Sequence, residues 1–322
     1  MRAVILAGGL GTRLRPLTEN LPKPIVPFGN RPFAEYQIDI LRKAGIEDIC
    51  FSLGYQSDKI EAVLGDGRDY GVKLTYMTEP QPLGTAGAFA FANRGARGPV
   101  FVLNGDILTD VDLNSMMLSH RSRSATATLF LKEVEDPTRF GLVDVDGSGL
   151  VIGFREKPSA EEAAMIPHPL ISAGIYLLEE SVTDMIPSAV RFMFETDVFP
   201  ALIGSGAVVA SFAPSCYWRD VGTVENYRIG NIDLLRPPFS DELSMMIGSD
   251  CEISASSEIN RSVIGDRVRI GDKSRVESSV IHDQTVIGEG CVIEEAVIGR
   301  ACSIGDGVRL EPGTALADGT VI

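Results

Sequence analysis

The sequence predicts two architectures in series, an α/β domain on a mainly parallel sheet and then a parallel β-helix. Two observations carry this. Over residues 1–236 strand-like and helix-like segments alternate, the pattern of a parallel sheet with helices on both faces. From Ile253 onward the aliphatic residues recur every five or six positions, a spacing that one face of a 3.6-residue helix cannot hold.

Taken in order, Val4 to Leu6 reads as a buried strand. Pro32 to Ala44 reads as a helix, with proline near its start and Gly45 just past its end. Ile46 to Leu53 is a second strand, Ser57 to Leu64 a short helix stopped by Gly65, Gly84 to Asn93 a further helix, and Val100 to Leu103 another buried strand. From Ala125 to Leu178 strands dominate, which predicts an antiparallel extension. Arg236-Pro237-Pro238 ends the last helix, because proline lacks the N–H that a helix interior needs. The chain therefore divides into a domain over 1–236, a linker over 237–250 and a repeat domain over 251–322.

In the repeat the inward-facing series runs Ile253, Ile259, Ile264, Ile270, Val276, Ile281, Ile287, Ile293, Ile298, Ile304, Leu310, Leu316 and Ile322, and the blocks Ser257–Lys273, Ser274–Gly290 and Cys291–Gly307 align without gaps. Three short strands per coil satisfy this spacing, each pointing one aliphatic side chain inward. Gly265, Gly271, Gly288, Gly299 and Gly305 each follow an aliphatic residue and suit tight corners.

Bulk properties narrow the function. A net charge of −15 disfavours nucleic acid and anionic membranes as partners. The N-terminal apolar run is too short for a signal peptide and no stretch approaches a membrane span. Five cysteines without a C-x-x-C pair read as reduced thiols. A cytoplasmic location is expected.

The first strand opens into Leu6-Ala7-Gly8-Gly9-Leu10-Gly11-Thr12-Arg13-Leu14-Arg15-Pro16-Leu17. Glycines let the backbone approach a ligand and aim N–H groups at it, and Arg13 and Arg15 bring cations suited to phosphate. It is no Walker A loop, which needs Gly-Lys-[Ser/Thr], and no dinucleotide fingerprint, whose third glycine is here Leu14. A tight strand-to-loop turn would look the same. In Leu21-Pro22-Lys23-Pro24 the flanking prolines are expected to hold Lys23 extended. Val100-Phe101-Val102-Leu103 ends in Asn104-Gly105-Asp106, which puts an aspartate at the carboxyl end of a strand, where open α/β sheets bind ligands. Asp220 stands between a strand and a helix capped by Thr223. Each carboxylate alone also describes an ordinary turn.

Together, L-A-G-G-L-G-T-R-L-R-P-L-T and L-P-K-P-I-V-P resemble the opening of the sugar-1-phosphate nucleotidyltransferases, closest to the mannose-1-phosphate guanylyltransferases. The resemblance covers essentially the whole chain. It implies a Rossmann-like nucleotidyltransferase domain followed by a left-handed β-helix of hexapeptide repeats. It also implies transfer of a nucleotidyl group from an NTP to a sugar 1-phosphate, with release of pyrophosphate. Nucleotide binding then falls to Leu6, Ala7, Gly8, Gly9, Gly11, Thr12 and Arg13, and to the base and ribose loop Gln81, Pro82, Gly84 and Thr85. N-G-D and W-x-D-x-G-T resemble the family's magnesium segments, which assigns Mg²⁺ to Asp106 and Asp220. Phe154-Arg155-Glu156-Lys157-Pro158 resembles its sugar-phosphate segment, with Lys157 on the phosphate and Glu156 on the hydroxyls. Gly141, Ser172 and Gly174 complete the sugar site; many mannose-type members carry Asn where this chain has Ser172. Arg13, Lys23 and Lys157 are the expected catalytic cations. Arg15 and Arg155 should join them in a basic cleft, with the cations and both aspartates around one rim of the sheet.

GTP and mannose 1-phosphate lead as substrates. Thymidylyl or uridylyl transfer to glucose 1-phosphate or another sugar or cyclitol phosphate is the rival. Behind these stand acyl transfer by the repeat domain, whose sole histidine His282 also reads as a solvated corner residue, and a silent NDP-sugar-binding subunit. A homo-oligomer through the β-helix is expected.

Overall fold

The computed structural model describes residues 1–322, which form two compact units. The first comprises Met1–Gly9 and Tyr36–Trp218, the second Leu10–Glu35 and Arg219–Ile322. Compactness therefore groups the chain differently from a linear cut at 236, because the segment 10–35 packs with the C-terminal part. No helix is long and apolar enough to cross a membrane.

The first unit is a nine-stranded sheet. Its strands are β1 (Arg2–Leu6), β2 (Asp48–Leu53), β3 (Lys73–Thr78), β4 (Val100–Asn104), β5 (Ala127–Glu133), β6 (Gly141–Val145), β7 (Val151–Glu156), β8 (Leu170–Leu178) and β9 (Val209–Phe212). The main order is β7-β6-β8-β4-β1-β2-β3, with β5 bridging β8 and β9. β1 lies parallel to β2 and β4, with Val4 opposite Cys50 on one side and Val102 on the other. These strands are almost continuously apolar and buried, as a sheet covered on both faces requires. β8 runs antiparallel to β4, β5 and β6, the extension read from the strand-rich stretch. Phe89, Tyr176, Phe194 and Phe199 are fully buried against the sheet, with ring centroids 5.0 Å apart between Tyr176 and Phe199 and 5.4 Å between Phe194 and Phe199.

In the second unit the repeat is a stack of coils whose strands form three parallel sheets. Register follows the sequence period: Ile253 pairs with Ile270, Ile270 with Ile287 and Ile287 with Ile304. Ile259, Val276, Ile293 and Leu310 form the equivalent column in a second sheet. The first strand, Met245–Ile247, lies in the stretch expected to be linker and pairs with Ser262–Ile264. Ile247 already obeys the 17-residue spacing to Ile264, so the coil begins before the series at Ile253 shows it.

The corner glycines have a different cause from turn geometry. Gly265 and Gly288 do not have positive φ; a Cβ on Gly265 would come 2.7 Å from the backbone nitrogen of Asp283, and one on Gly288 2.7 Å from that of Asp306. The next coil's backbone occupies the space a side chain would need.

Candidate active site

In the first unit the site grows from the carboxyl ends of β1 and β4. Beyond β1, the Ala7 N–H donates to the Ser52 carbonyl at 2.8 Å and the Gly105 N–H to the Leu6 carbonyl at 2.8 Å. A Cβ on Gly105 would stand 2.8 Å from the Leu6 carbonyl oxygen, so only glycine lets the turn to Asp106 lie this close to the start of the loop. Gln37 Nε2 donates to the Asn104 carbonyl at 2.7 Å and braces the same turn.

Gly8 packs backbone to backbone against Gly54, and a Cβ on it would meet Glu79 Oε1 at 2.8 Å. Glu79 was not read from the sequence. Its Oε2 accepts from the Leu83 N–H at 2.9 Å and so ties the Gln81–Thr85 loop to the glycine loop; burial raises its pKa. Its place just after a parallel strand was the available signal.

Gln81 and Pro82 are exposed. Gly84 opens a helix with φ of +75°, where a Cβ would clash with the Phe192 carbonyl at 2.6 Å. Thr85 has its hydroxyl engaged within the protein. It donates to Glu195 Oε2 at 2.7 Å and accepts from the Phe194 N–H at 2.9 Å.

The residues expected at the sugar site lie on β6, β7 and β8 and just after β7. Gly141 on β6 sits opposite Glu156 on β7, and a Cβ there would overlap the Phe154 ring and come 3.2 Å from Glu156 Oε2. Lys157 follows with φ of +49°, its N–H on the Phe140 carbonyl at 2.9 Å and its Nζ 3.3 Å from Glu156 Oε1. A left-handed lysine is uncommon and costs energy that the surrounding pairing must hold in place. On β8 the pairing with β5 breaks between Ser172 and Tyr176. Gly174 there has φ of +78° and lies against Asn104, with Asn104 Nδ2 2.8 Å from where its Cβ would be. Ser172 Oγ and the Tyr176 hydroxyl are 3.1 Å apart.

The carboxylates of Glu195, Glu156 and Asp106 all lie within electrostatic reach of the Tyr176 hydroxyl, whose pKa burial raises first. Burial also raises Glu195, against the lowering pull of the Thr85 hydroxyl and, more weakly, of Lys157. Asp106, Glu156 and Glu195 thus each act on Tyr176 and Lys157 stands beside Glu156; Glu195 and Tyr176 are not among the residues expected at the site. Glu195 lies in a π-helical segment, Phe194–Val198, a rare element often found at functional sites. A carboxylate between Phe192-Met193-Phe194 and Val198-Phe199 was its only sequence signal.

In the second unit Gly11, with φ of +62°, starts a 3-10 turn over Thr12–Leu14 and packs between Thr18 and Lys23. Lys23 is not extended as expected. It opens a second 3-10 turn, Lys23–Ile25, after an extended Pro22. Pro24 occupies an early helical position where no N–H is needed, which outweighs the usual preference of a pre-proline residue. Arg13 and Asp220 meet over Gly222: a Cβ there would come 2.6 Å from Asp220 Oδ1 and 2.9 Å from an Arg13 guanidinium nitrogen. Asn226 Nδ2 donates to the Asp220 carbonyl at 2.8 Å, and Thr223 caps the following helix.

Two further expectations need correction. Arg155 does not join a basic cleft; strand alternation turns it from Glu156 to the opposite face, where it pairs with Asp144 Oδ1 at 2.9 Å. His282 is not a solvated corner residue. It is buried, its Nε2 lies 3.0 Å from the Tyr227 hydroxyl, and burial lowers its pKa to about 4.

Sheet topology, strand-end carboxylates and glycine loop together define an α/β domain of the kind that binds ligands at the carboxyl ends of its strands. A family model described as "Nucleotidyl transferase" matches residues 2–236, and one described as "EIF2B subunit epsilon LbH domain" matches residues 237–322. The chain belongs to the nucleotidyl transferase family, and its coil stack is the left-handed β-helix of the second description. Among curated proteins, a mannose-1-phosphate guanylyltransferase of Mycobacterium tuberculosis is 39% identical over 236 residues, 73% of this chain and 64% of that protein. A mannose-1-phosphate guanyltransferase of Debaryomyces hansenii is 36% identical over 241 residues, 72% of this chain and 64% of that one. The chain thus spans about 64% of the length of these relatives. Among solved structures, HddC from Yersinia pseudotuberculosis complexed with GMP-PN shares 29% identity at a TM-score of 0.61, covering 71% of this chain and 97% of that one. A putative glucose-1-phosphate thymidylyltransferase from Bacillus anthracis shares 26% at 0.66, covering 75% and 98%.

Proposed function

We propose that this chain transfers a guanylyl group from GTP to mannose 1-phosphate, giving GDP-mannose and pyrophosphate, in the cytoplasm and as a homo-oligomer assembled through the β-helix. The reading is carried by the mannose-1-phosphate guanylyltransferases among its relatives, at 39% and 36% identity in the two above.

The sugar-phosphate oxygen is already anionic at neutral pH, so no general base is needed. It attacks the α-phosphorus in line, the bond from that phosphorus to the bridging oxygen breaks, and pyrophosphate leaves. Catalysis is then positioning and charge stabilisation. Lys157 holds the attacking phosphate, and its backbone, fixed by the Phe140 carbonyl, aims it. Glu156, Ser172 and the backbone at Gly141 and Gly174 receive the sugar. Arg13, Lys23 and the N–H groups from Gly9 to Thr12 receive the departing pyrophosphate. Glu79 sets the spacing between the glycine loop and the Gln81–Thr85 loop, through its bond to the Leu83 N–H.

The donor set fits Mg²⁺, which takes oxygen ligands and works with one or two carboxylates plus phosphate oxygens. No group of three or more His, Cys, Asp or Glu forms a cage that would hold an ion alone. Asp106 and Asp220 would hold Mg²⁺ by reaching one ion, and when bound it would neutralise charge on the α-phosphate.

A second reading, thymidylyl transfer to glucose 1-phosphate, is favoured by the likeness to the Bacillus anthracis structure. A matrix of GTP, dTTP, UTP and ATP against mannose, glucose and other sugar 1-phosphates, read as pyrophosphate release, decides between them. The expected maximum is GTP with mannose 1-phosphate. A maximum at dTTP with glucose 1-phosphate would replace the reading, and no release with any pair would leave a silent binding subunit.

A further inference from the structure

The loop that carries Lys23 is only partly held by its own backbone. Pro22, Pro24 and Pro27 have no N–H to donate. Two short turns and a hairpin, in which Phe28 pairs with Arg31 and the Phe33 N–H donates to the Val26 carbonyl at 3.1 Å, use some of its backbone groups; the Pro27 carbonyl and the Gly29 N–H find partners elsewhere. Those partners are side chains of the Val224–Asp233 helix, and the loop also reaches the backbone of the β-helix. The Tyr227 hydroxyl donates to the Pro27 carbonyl. The Gly29 N–H donates to Asn231 Oδ1 at 2.8 Å, and Asn30 Nδ2 reaches the Ile264 carbonyl at 2.7 Å.

Tyr227 is itself held. With its own proton on Pro27, its oxygen accepts from His282 Nε2 at 3.0 Å, which fixes the histidine as the Nε2–H tautomer. The next residue, Arg228, donates to the Ser278 carbonyl at 2.9 Å, so the same helix turn grips two points of the coil. Tyr227, Arg228, Asn231 and His282 are all buried. An apolar contact could join the helix to the coil equally well. A chain of directional hydrogen bonds ending on a loop carbonyl does something more specific, because it sets where that carbonyl lies.

We propose that Tyr227 and His282 are positioning residues for the Lys23 turn, and that the β-helix serves the reaction by holding this loop in its binding conformation. The effect on catalysis rests on the role proposed for Lys23; the positioning itself does not. Pro27 lies two residues after the Lys23–Ile25 turn, whose closing bond runs from the Val26 N–H to the Lys23 carbonyl at 3.2 Å. The turn runs directly into the hairpin of Pro27–Phe28 with Arg31–Pro32, so the bond to the Pro27 carbonyl sets where the end of the turn lies.

The test uses the full chain with Tyr227→Phe, His282→Leu and His282→Gln, the last keeping an N–H able to reach Tyr227. Hydrogen exchange at the Ile25 and Val26 amides is read without turnover. It should accelerate in Tyr227→Phe and His282→Leu and return toward the parent rate in His282→Gln. In the same variants KM for the NTP should rise roughly tenfold, equivalent to about 1.4 kcal/mol, with KM for the sugar 1-phosphate nearly unchanged. Unchanged exchange in a folded Tyr227→Phe protein overturns the proposal. Should that variant not fold, Asn30→Ala at the exposed loop tip takes its place, with the same two outcomes. If exchange accelerates while NTP use is unaffected, the positioning stands and the role of Lys23 falls.

Discussion

The β-helix and the mixed sheet solve the same problem, burial of aliphatic side chains, by opposite uses of sequence. In the β-helix one environment repeats. Ile270, Ile287 and Ile304 are stacked copies of a single solution, and Gly271 and Gly288, one coil apart, each answer the close approach of the next coil's backbone. In the sheet almost every functional position is used once. Gly105 exists for the Leu6 carbonyl, Gly141 for the Phe154 ring, and Gly174 for Asn104. Repetition confers a fold that one rule describes, whereas a site needs exceptions, and the exceptions gather at the strand ends of the first unit.

The comparison can be broken at its functional end first. Asp106→Asn should leave the fold intact and reduce kcat by about 10²–10³, the scale of losing one preorganised stabilising group; near-normal turnover in steady-state kinetics would remove Asp106 from the site. At the structural end, Ile293→Ala, fully buried in its column, should cost about 2–5 kcal/mol. Val286→Ala on the preceding strand, 41% exposed, should stay within about 0.5 kcal/mol. Chemical denaturation of both variants tests whether inward and outward positions differ as the repeat requires.

The acid response sharpens the comparison. His282 faces Tyr227, Arg300, Asp283 and Asp318, and its pKa falls from 6.5 to about 4, chiefly through burial. The unfolded chain takes up the proton first as pH drops below 6.5, so the unfolded state gains. Stability should therefore be full above pH 6.5 and decline toward pH 4, by roughly 3 kcal/mol at most. His282→Gln cannot titrate, and its denaturation profile between pH 7 and 5 should be flatter than the parent's. A smaller effect is expected at Thr85→Val, which leaves the Phe194 N–H and Glu195 without the hydroxyl between them. A loss of about 1–3 kcal/mol, read as a lowered Tm, would mark Thr85 as a structural tie. An unchanged Tm with weakened nucleotide binding would return it to the ligand.

Much of the molecule was legible in its residue order because the relevant physics is local. Alternating strand and helix patterns, Gly45 and Gly65 as stops, and the five- and six-residue steps are properties of neighbours along the chain. They determined the parallel sheet, the coil register and the strand-end position of Asp106. Ile247, six residues before Ile253, extends the same series one step further toward the N-terminus and belongs to the coil that pairs with Ile264. What tertiary structure alone decided is which distant groups share a space. Glu79 beside Gly8, Glu195 under Thr85, Arg155 turned to Asp144 and His282 against Tyr227 each depend on residues far apart in sequence. A side chain's charge and chemistry are written at its own position, but its burial, its partners and hence its pKa are set by whatever the fold packs against it.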